Sequence, residues 1–279
     1  MKASKDCYEC LQRLAKQAAG FATNDEPTKA KAIEESLRVL KDNFSHNIVT
    51  IIIATKIHDV IRAIGQNPDP YRGIKDKEIT VARELFSSIK RGYGDDFRDC
   101  LKLAALGNAI DFFRPLDITK KDIRGQVSFV IDDSTQFETK LKNAKGVMYL
   151  ADNAGEVFFD LPLVRWMRRL THVIYVVKAS PVQDDITLED IRRAGVEVEL
   201  GEIITTGTAT PGIDFSLAST RFKHEFTTAD LIFAKGMGYY ESLSELPAEG
   251  RIFYCLMAKC KPVADSLKVP MNSYVAMLR

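Results

Sequence analysis

The sequence predicts an α/β protein, with a helical N-terminal region followed by a three-layer α/β/α Rossmann-like core and a mainly parallel sheet. Three observations carry this expectation. Residues 1 to about 112 place apolar side chains at helical spacing. Beyond about residue 126 the texture changes to short runs rich in Val, Ile, Tyr and Phe, the composition of buried strands. Those runs alternate with helical segments, as βαβ units do.

Taken in order, Cys7, Leu11, Leu14 and Ala18 make the first apolar stripe. Ile33, Leu37, Leu40 and Phe44 repeat it, as do Ile53, Ile57, Val60, Ile61 and Ile64. Pro68 and Pro70 then break the pattern, and Val81, Leu85 and Ile89 resume it. Strands are expected at 146–151, 172–177, 196–200, 230–234 and 251–256, with helices at 155–170 and 187–194. The division that follows is a helical region over 1–120 and an α/β core over 121–279.

A chain of 279 residues, 46% hydrophobic and 28% charged, buries a core without staples. Lys plus Arg is 39 and Asp plus Glu is 38, without the basic excess of a nucleic-acid or anionic-membrane binder. No partner of either kind is expected. The five cysteines, at 7, 10, 100, 255 and 260, do not form a disulfide framework. For Cys7 and Cys10, plain packing ranks above a disulfide or a weak metal site. No secretory h-region precedes the first helix, and the apolar run 48–54 is too short for a bilayer. A cytoplasmic protein is expected; its oligomeric state cannot be read from the sequence.

Ligands of open α/β sheets bind beyond the carboxyl ends of the strands, so the residues following each expected strand are the candidates. After 146–151 come Asp152, Asn153, Gly155 and Glu156. The carboxylate and carboxamide are oxygen donors for a hard cation, and the helix behind Gly155 offers N–H groups to an anion. Alone, the segment reads rather as an Asx turn with a helix cap. After 172–177 come Asp184 and Asp185; Asp185 completes an oxygen-rich set with Asp152 and Asn153, or caps a helix. After 230–234 come Lys235, Gly236 and Gly238, a point charge and turn suited to a phosphate. Asn108 and Asp111 share a helical face and either reach the site or join two helices. Converging on one edge, carboxylates, amide and lysine make a phosphoryl-oxygen site. No P-loop and no Gly-x-Gly-x-x-Gly after the first expected strand occurs.

Eight segments run in one order: CxxC (Cys7, Cys10), NPDPY (67–71), GNAID (107–111), ADNAGE (151–156), DDITLED (184–190), TPG (210–212), ADLIFAKGMGYYE (229–241) and KCKPVA (259–264). In these the chain resembles the damage-control phosphatase family, long called the domain of unknown function 89. The CxxC is similar to its stand-alone prokaryotic branch. The resemblance implies a metal-dependent phosphatase of small phosphorylated metabolites: sugar phosphates, phosphopantetheine-like compounds or damaged forms. It implies that Asp152, Asn153 and Asp185 hold a divalent metal (Mg, Mn, Co or Ni) and that Lys235 contacts the phosphate. Glu156, Asn108 and Asp111 would line the site, with Gly155 and Gly236 on the substrate. Asp184 stands where the family usually has Asn, and Tyr239 where it often has Asn. In-line attack by metal-activated water is the expected mechanism, with an aspartyl phosphate on Asp152 left open. Other classes to be weighed are a non-catalytic metabolite or nucleotide binder and a metal-dependent carboxyl methyltransferase.

Overall fold

Helix α1 (Lys5–Ala22) buries Cys7, Leu11, Leu14 and Ala18, the stripe expected of it. α2 (Glu26–Asn43) starts at Asp25, whose carboxylate accepts from the Thr28 N–H at 2.9 Å, as an Asp N-cap does. α3 (Thr50–Gly65) ends at Gln66 in the left-handed region, φ +50°. These helices enclose a core of their own that includes Leu11, Leu40, Ile57 and Tyr71. The structure, a computed structural model, describes residues 1–109, 127–247 and 249–279.

The next two helices behave differently. α4 (Arg72–Ile89) and α5 (Phe97–Gly107) carry Ile79, Ala82, Leu101 and Ala104 into a cluster shared with the sheet. Packing therefore divides the chain between α3 and α4. The expected boundary at 120/121 lies outside the described residues.

Among the described residues, one sheet is formed by β1 (Phe129–Asp132), β2 (Gly146–Leu150), β3 (His172–Val177), β4 (Glu202–Thr205), β5 (Leu231–Lys235), β6 (Ile252–Met257) and β7 (Tyr274–Leu278). Its order is β1-β7-β6-β5-β2-β3-β4, and every pair is parallel except β6–β7. Alternate residues feed two cores, as the two-residue strand period requires. Val147 and Tyr149 face a layer containing α5, α6 (Ser134–Leu141) and α7 (Val157–Arg168). Met148 and Leu150 face α10 (Thr220–Thr228), α11 (Gly236–Leu243) and α12 (Lys261–Leu267). The helices expected at 155–170 and 187–194 are present as α7 and α8 (Leu188–Ala194).

The strand expected at 196–200 is a correction. Glu197–Leu200 is a helical turn, α9, and the strand follows it as β4. Gly195 (φ +67°) and Gly201 (φ +82°) turn the chain on either side. Val198, which made the segment look alternating, is 92% exposed.

His58 shows how the helical core responds to acid. It is buried, 5.8 Å from the Tyr71 ring. Burial, then the Arg62 charge, holds its pKa down to about 3. Unfolded histidine titrates near about 6.5, so the folded state binds fewer protons between those values. Its contribution is whole above that unfolded value and is lost as pH falls toward the folded one. From about pH 6.5 to 4.5, wild type should lose roughly 2–3 kcal/mol relative to His58→Phe. Urea midpoints across pH check this; parallel profiles for the two proteins would refute it.

Candidate active site

The strand order reverses between β2 and β5. From β2 the chain moves to β3 and β4 on one side; from β5 it moves to β6 on the other. The helices that follow them, α7 and α11, lie on opposite faces, which opens a crevice at the carboxyl ends of these two strands. Asp152 follows β2, and Gly236 follows β5.

These two residues touch. Gly236 takes φ +77°, and a Cβ added to it would lie 1.7 Å from Asp152 Oδ2. The carboxylate therefore rests on the bare backbone at the start of α11. A second clamp comes from the loop after β3. Asn153 and Asp185 form an antiparallel bridge, which puts directly opposed side chains on one face. Ile186 N donates to Asp152 O at 2.8 Å, and Ala154 N to Asp184 O at 2.8 Å. Asp152, Asn153 and Asp185 are thus brought together by backbone bonds alone. Asp152 and Asn153 are partly exposed, whereas Asp184 and Asp185 are buried.

Behind them, the turn Ala154–Glu156 buries Gly155 and Glu156. Glu156 Oε2 pairs with Lys235 Nζ at 2.7 Å. The same ammonium donates to Asp160 Oδ1 at 2.7 Å and to Ala104 O at 2.6 Å. Lys235 thus makes two hydrogen bonds inside the protein and pairs with Glu156; the resemblance implies that it contacts the phosphate. Asp160 also accepts from Tyr149 OH at 2.7 Å and Tyr175 OH at 3.0 Å. Asn108 lies at the end of α5, buried, with Nδ2 lacking a hydrogen-bond partner. A Cβ on neighbouring Gly107 would come within 3.4 Å of Glu156 Cβ, so α5 ends against the site. Asp111 lies outside the described residues.

Two further lysines border the carboxylates. Lys178 donates to Gly212 O at 2.5 Å and Tyr239 OH at 3.1 Å, with Asp185 Oδ1 at 3.7 Å. It lies over the Tyr239 ring, 4.2 Å from the centroid. Lys259 follows β6, and its backbone N–H meets Met237 Sδ at 3.3 Å.

The charges remain unbalanced toward negative. Burial pushes the Asp152 carboxyl well above the ordinary range, and Glu156 and Asp185 push it further, against Lys259. Burial raises Glu156 despite Lys235. Asp185 is raised to about 6 by burial, against the pull of Lys178 and Lys75. Glu156 Oε1 has no hydrogen-bond partner. Crowded oxygen donors short of positive charge fit a hard divalent cation. Among the described residues no group of three or more His, Cys, Asp or Glu side chains is gathered to hold an ion; the set here is two carboxylates and an amide.

The model of the damage-control phosphatase ARMT1-like domain matches residues 3–275. The chain belongs to that family. It is 35% identical to a damage-control phosphatase of Pyrococcus horikoshii, over 99% of this chain and 98% of that one. It is 33% identical to a damage-control phosphatase of Archaeoglobus fulgidus, over 99% of each. A crystal structure of a DUF89 family protein from P. horikoshii superposes with a TM-score of 0.90 at 34% identity, covering 100% of this chain and 99% of that one.

For this damage-control phosphatase family member, sequence reasoning missed several site residues. Lys178 and Lys259 each follow a strand, and the strand-exit test applied to them would have found both. Asp160 was visible as a lone carboxylate in the apolar run 157–164. Cys7 is buried and Cys10 exposed, and the cysteines are free. No helix among the described residues is long and apolar enough to cross a membrane.

Proposed function

We propose that the chain hydrolyses phosphomonoesters of small metabolites, using a divalent cation held by Asp152, Asn153 and Asp185. The observation that carries this reading is the surplus of carboxylate at the switch point, with Asp152 seated on Gly236 and the buried Asp185 and Glu156 beside it. A cation there supplies Lewis-acid stabilisation of phosphoryl charge. Mg, Mn, Co and Ni all suit oxygen ligands.

The protein's own residues do the rest. Gly236 and the Asn153–Asp185 bridge fix the ligand oxygens before substrate arrives, which is what makes electrostatic stabilisation effective. Lys259, whose charge acts on Asp152 and Glu156, adds positive charge for the phosphoryl oxygens. Glu156 Oε1 is the acceptor for a proton from the attacking water. Lys235 holds Glu156 in place. Asn108 and the backbone at Gly155 border the substrate. Sugar phosphates, phosphopantetheine-like compounds and damaged phosphometabolites are the substrate class that family membership supports. A non-catalytic binder or a carboxyl methyltransferase has no need of two carboxylates sharing a site.

The test is turnover of p-nitrophenyl phosphate with chelator, Mg²⁺, Mn²⁺, Co²⁺ or Ni²⁺, beside Asp152→Ala. Turnover should require metal and drop at least about 100-fold in the variant. Metal-independent turnover, or an active Asp152→Ala, would sink the assignment.

A further inference from the structure

We propose that Lys75, in α4, is a positioning residue for Asp185, acting through Asp190 and Thr187. The proposal rests on the metal-dependent reading above and extends it to a residue of the helical region.

Lys75 is fully buried, and its ammonium lies 2.9 Å from Asp69 Oδ2 and 3.1 Å from Asp190 Oδ2. Asp190 is also fully buried. Its Oδ2 accepts from Thr187 N at 2.8 Å and from Thr187 Oγ1 at 2.6 Å, while Arg193 pairs with its other oxygen. Thr187 stands two residues after Asp185. The segment 184–187 is therefore tied at both ends. On one side Asp152 and Ala154 hold it through the backbone. On the other, Thr187 is hung on Asp190, and Lys75 fixes Asp190.

A helix-docking role alone does not account for this. α4 already anchors through Ile79 and Ala82 in the sheet's core and packs against the turn Ala154–Glu156. Burying an ammonium adds a desolvation cost that apolar packing would avoid. What the ammonium adds is direction. It orients one carboxylate that in turn orients the loop carrying a candidate metal ligand. Outer partners of this kind set ligand geometry and metal affinity. Asp69 belongs to the segment NPDPY, which thereby gains a function: it holds the second side of the Lys75 ammonium.

The experiment uses the full chain and Mn²⁺ as probe. Calorimetric Mn²⁺ affinity, metal-free melting temperature, and kcat and KM for p-nitrophenyl phosphate at saturating Mn²⁺ are measured for wild type, Lys75→Met, Thr187→Val and Thr187→Ser. Mn²⁺ binding should weaken about 10-fold or more in Lys75→Met and Thr187→Val. Thr187→Ser, which keeps the hydroxyl, should bind as wild type does. At saturating Mn²⁺, kcat should fall in Thr187→Val while KM stays. If Lys75→Met does not fold, Thr187→Val decides, since it leaves every buried charge paired. Wild-type Mn²⁺ affinity in Thr187→Val, with only a lower melting temperature, would overturn the proposal and leave Thr187 a helix cap. Wild type failing to bind Mn²⁺ at all would instead overturn the metal reading beneath it.

Discussion

Gly236→Ala should cut metal-dependent turnover at least about 100-fold in a protein that still folds. The Cβ of alanine would lie 1.7 Å from Asp152 Oδ2 and 2.3 Å from its Cγ, so the carboxylate must move. Asp152 cannot simply shift along the crevice. Its own carbonyl is held by Ile186 N, and the next residue is bridged to Asp185. The side chain is forced to rotate away from the other oxygen donors. A displacement of about 1 Å costs roughly 100-fold in rate, and at least that loss in kcat/KM is expected, together with weaker metal binding. Alanine at φ +77° adds about 1–3 kcal/mol of backbone strain, or roughly 2–4 °C of melting temperature per kcal/mol. Gly73→Ala is the control. A Cβ there meets nothing within 4 Å, it lies inside α4, and activity should be unchanged. Full metal-dependent activity in Gly236→Ala would show that Asp152 is not a ligand in this position.

The parts of the site that were legible in the sequence share one property. Asp152, Asn153 and Gly236 come straight after a short apolar strand and Asp185 lies in the loop after β3, so topology brings them to one edge. The parts that were not legible depend on partners distant in the chain. The role of Lys235 depends on Ala104 O and Asp160, and nothing near position 235 reveals either. Lys75 meets Asp190, 115 positions away. In the fold, the strands hidden from view were β1, at one edge, and its neighbour β7. β1 is only four residues long, with Val130 57% exposed, and β7 follows a helix that ends in a left-handed Lys268. At 196–200 alternation suggested a strand, but two left-handed glycines bracket the segment. Backbone turns overrode the side-chain pattern there.

The same buried charge that conceals Lys235 from sequence reasoning makes it a sensitive position for stability. Lys235→Met removes the only cation that touches both Glu156 and Asp160 among the described residues. Glu156, Asp160 and Lys235 are all essentially inaccessible, so the two carboxylates are left buried without that counter-charge. Breaking such a pair by removing one partner costs about 3–5 kcal/mol. Here two carboxylates are left, and Ala104 O loses its donor as well. Asp160 keeps its two tyrosine hydroxyls; Glu156, whose carboxylate oxygens accept no hydrogen bond, must hold a proton to stay buried. A melting temperature lower by roughly 10 °C is expected, and turnover should fall because Glu156 is neutral and displaced. The double variant Lys235→Met with Glu156→Gln separates the causes. It should recover part of the lost stability, since one stranded charge is gone, but none of the activity. If Lys235 instead contacted the phosphate directly, Lys235→Met would raise KM for p-nitrophenyl phosphate, leave the melting temperature near wild type, and gain nothing from Glu156→Gln.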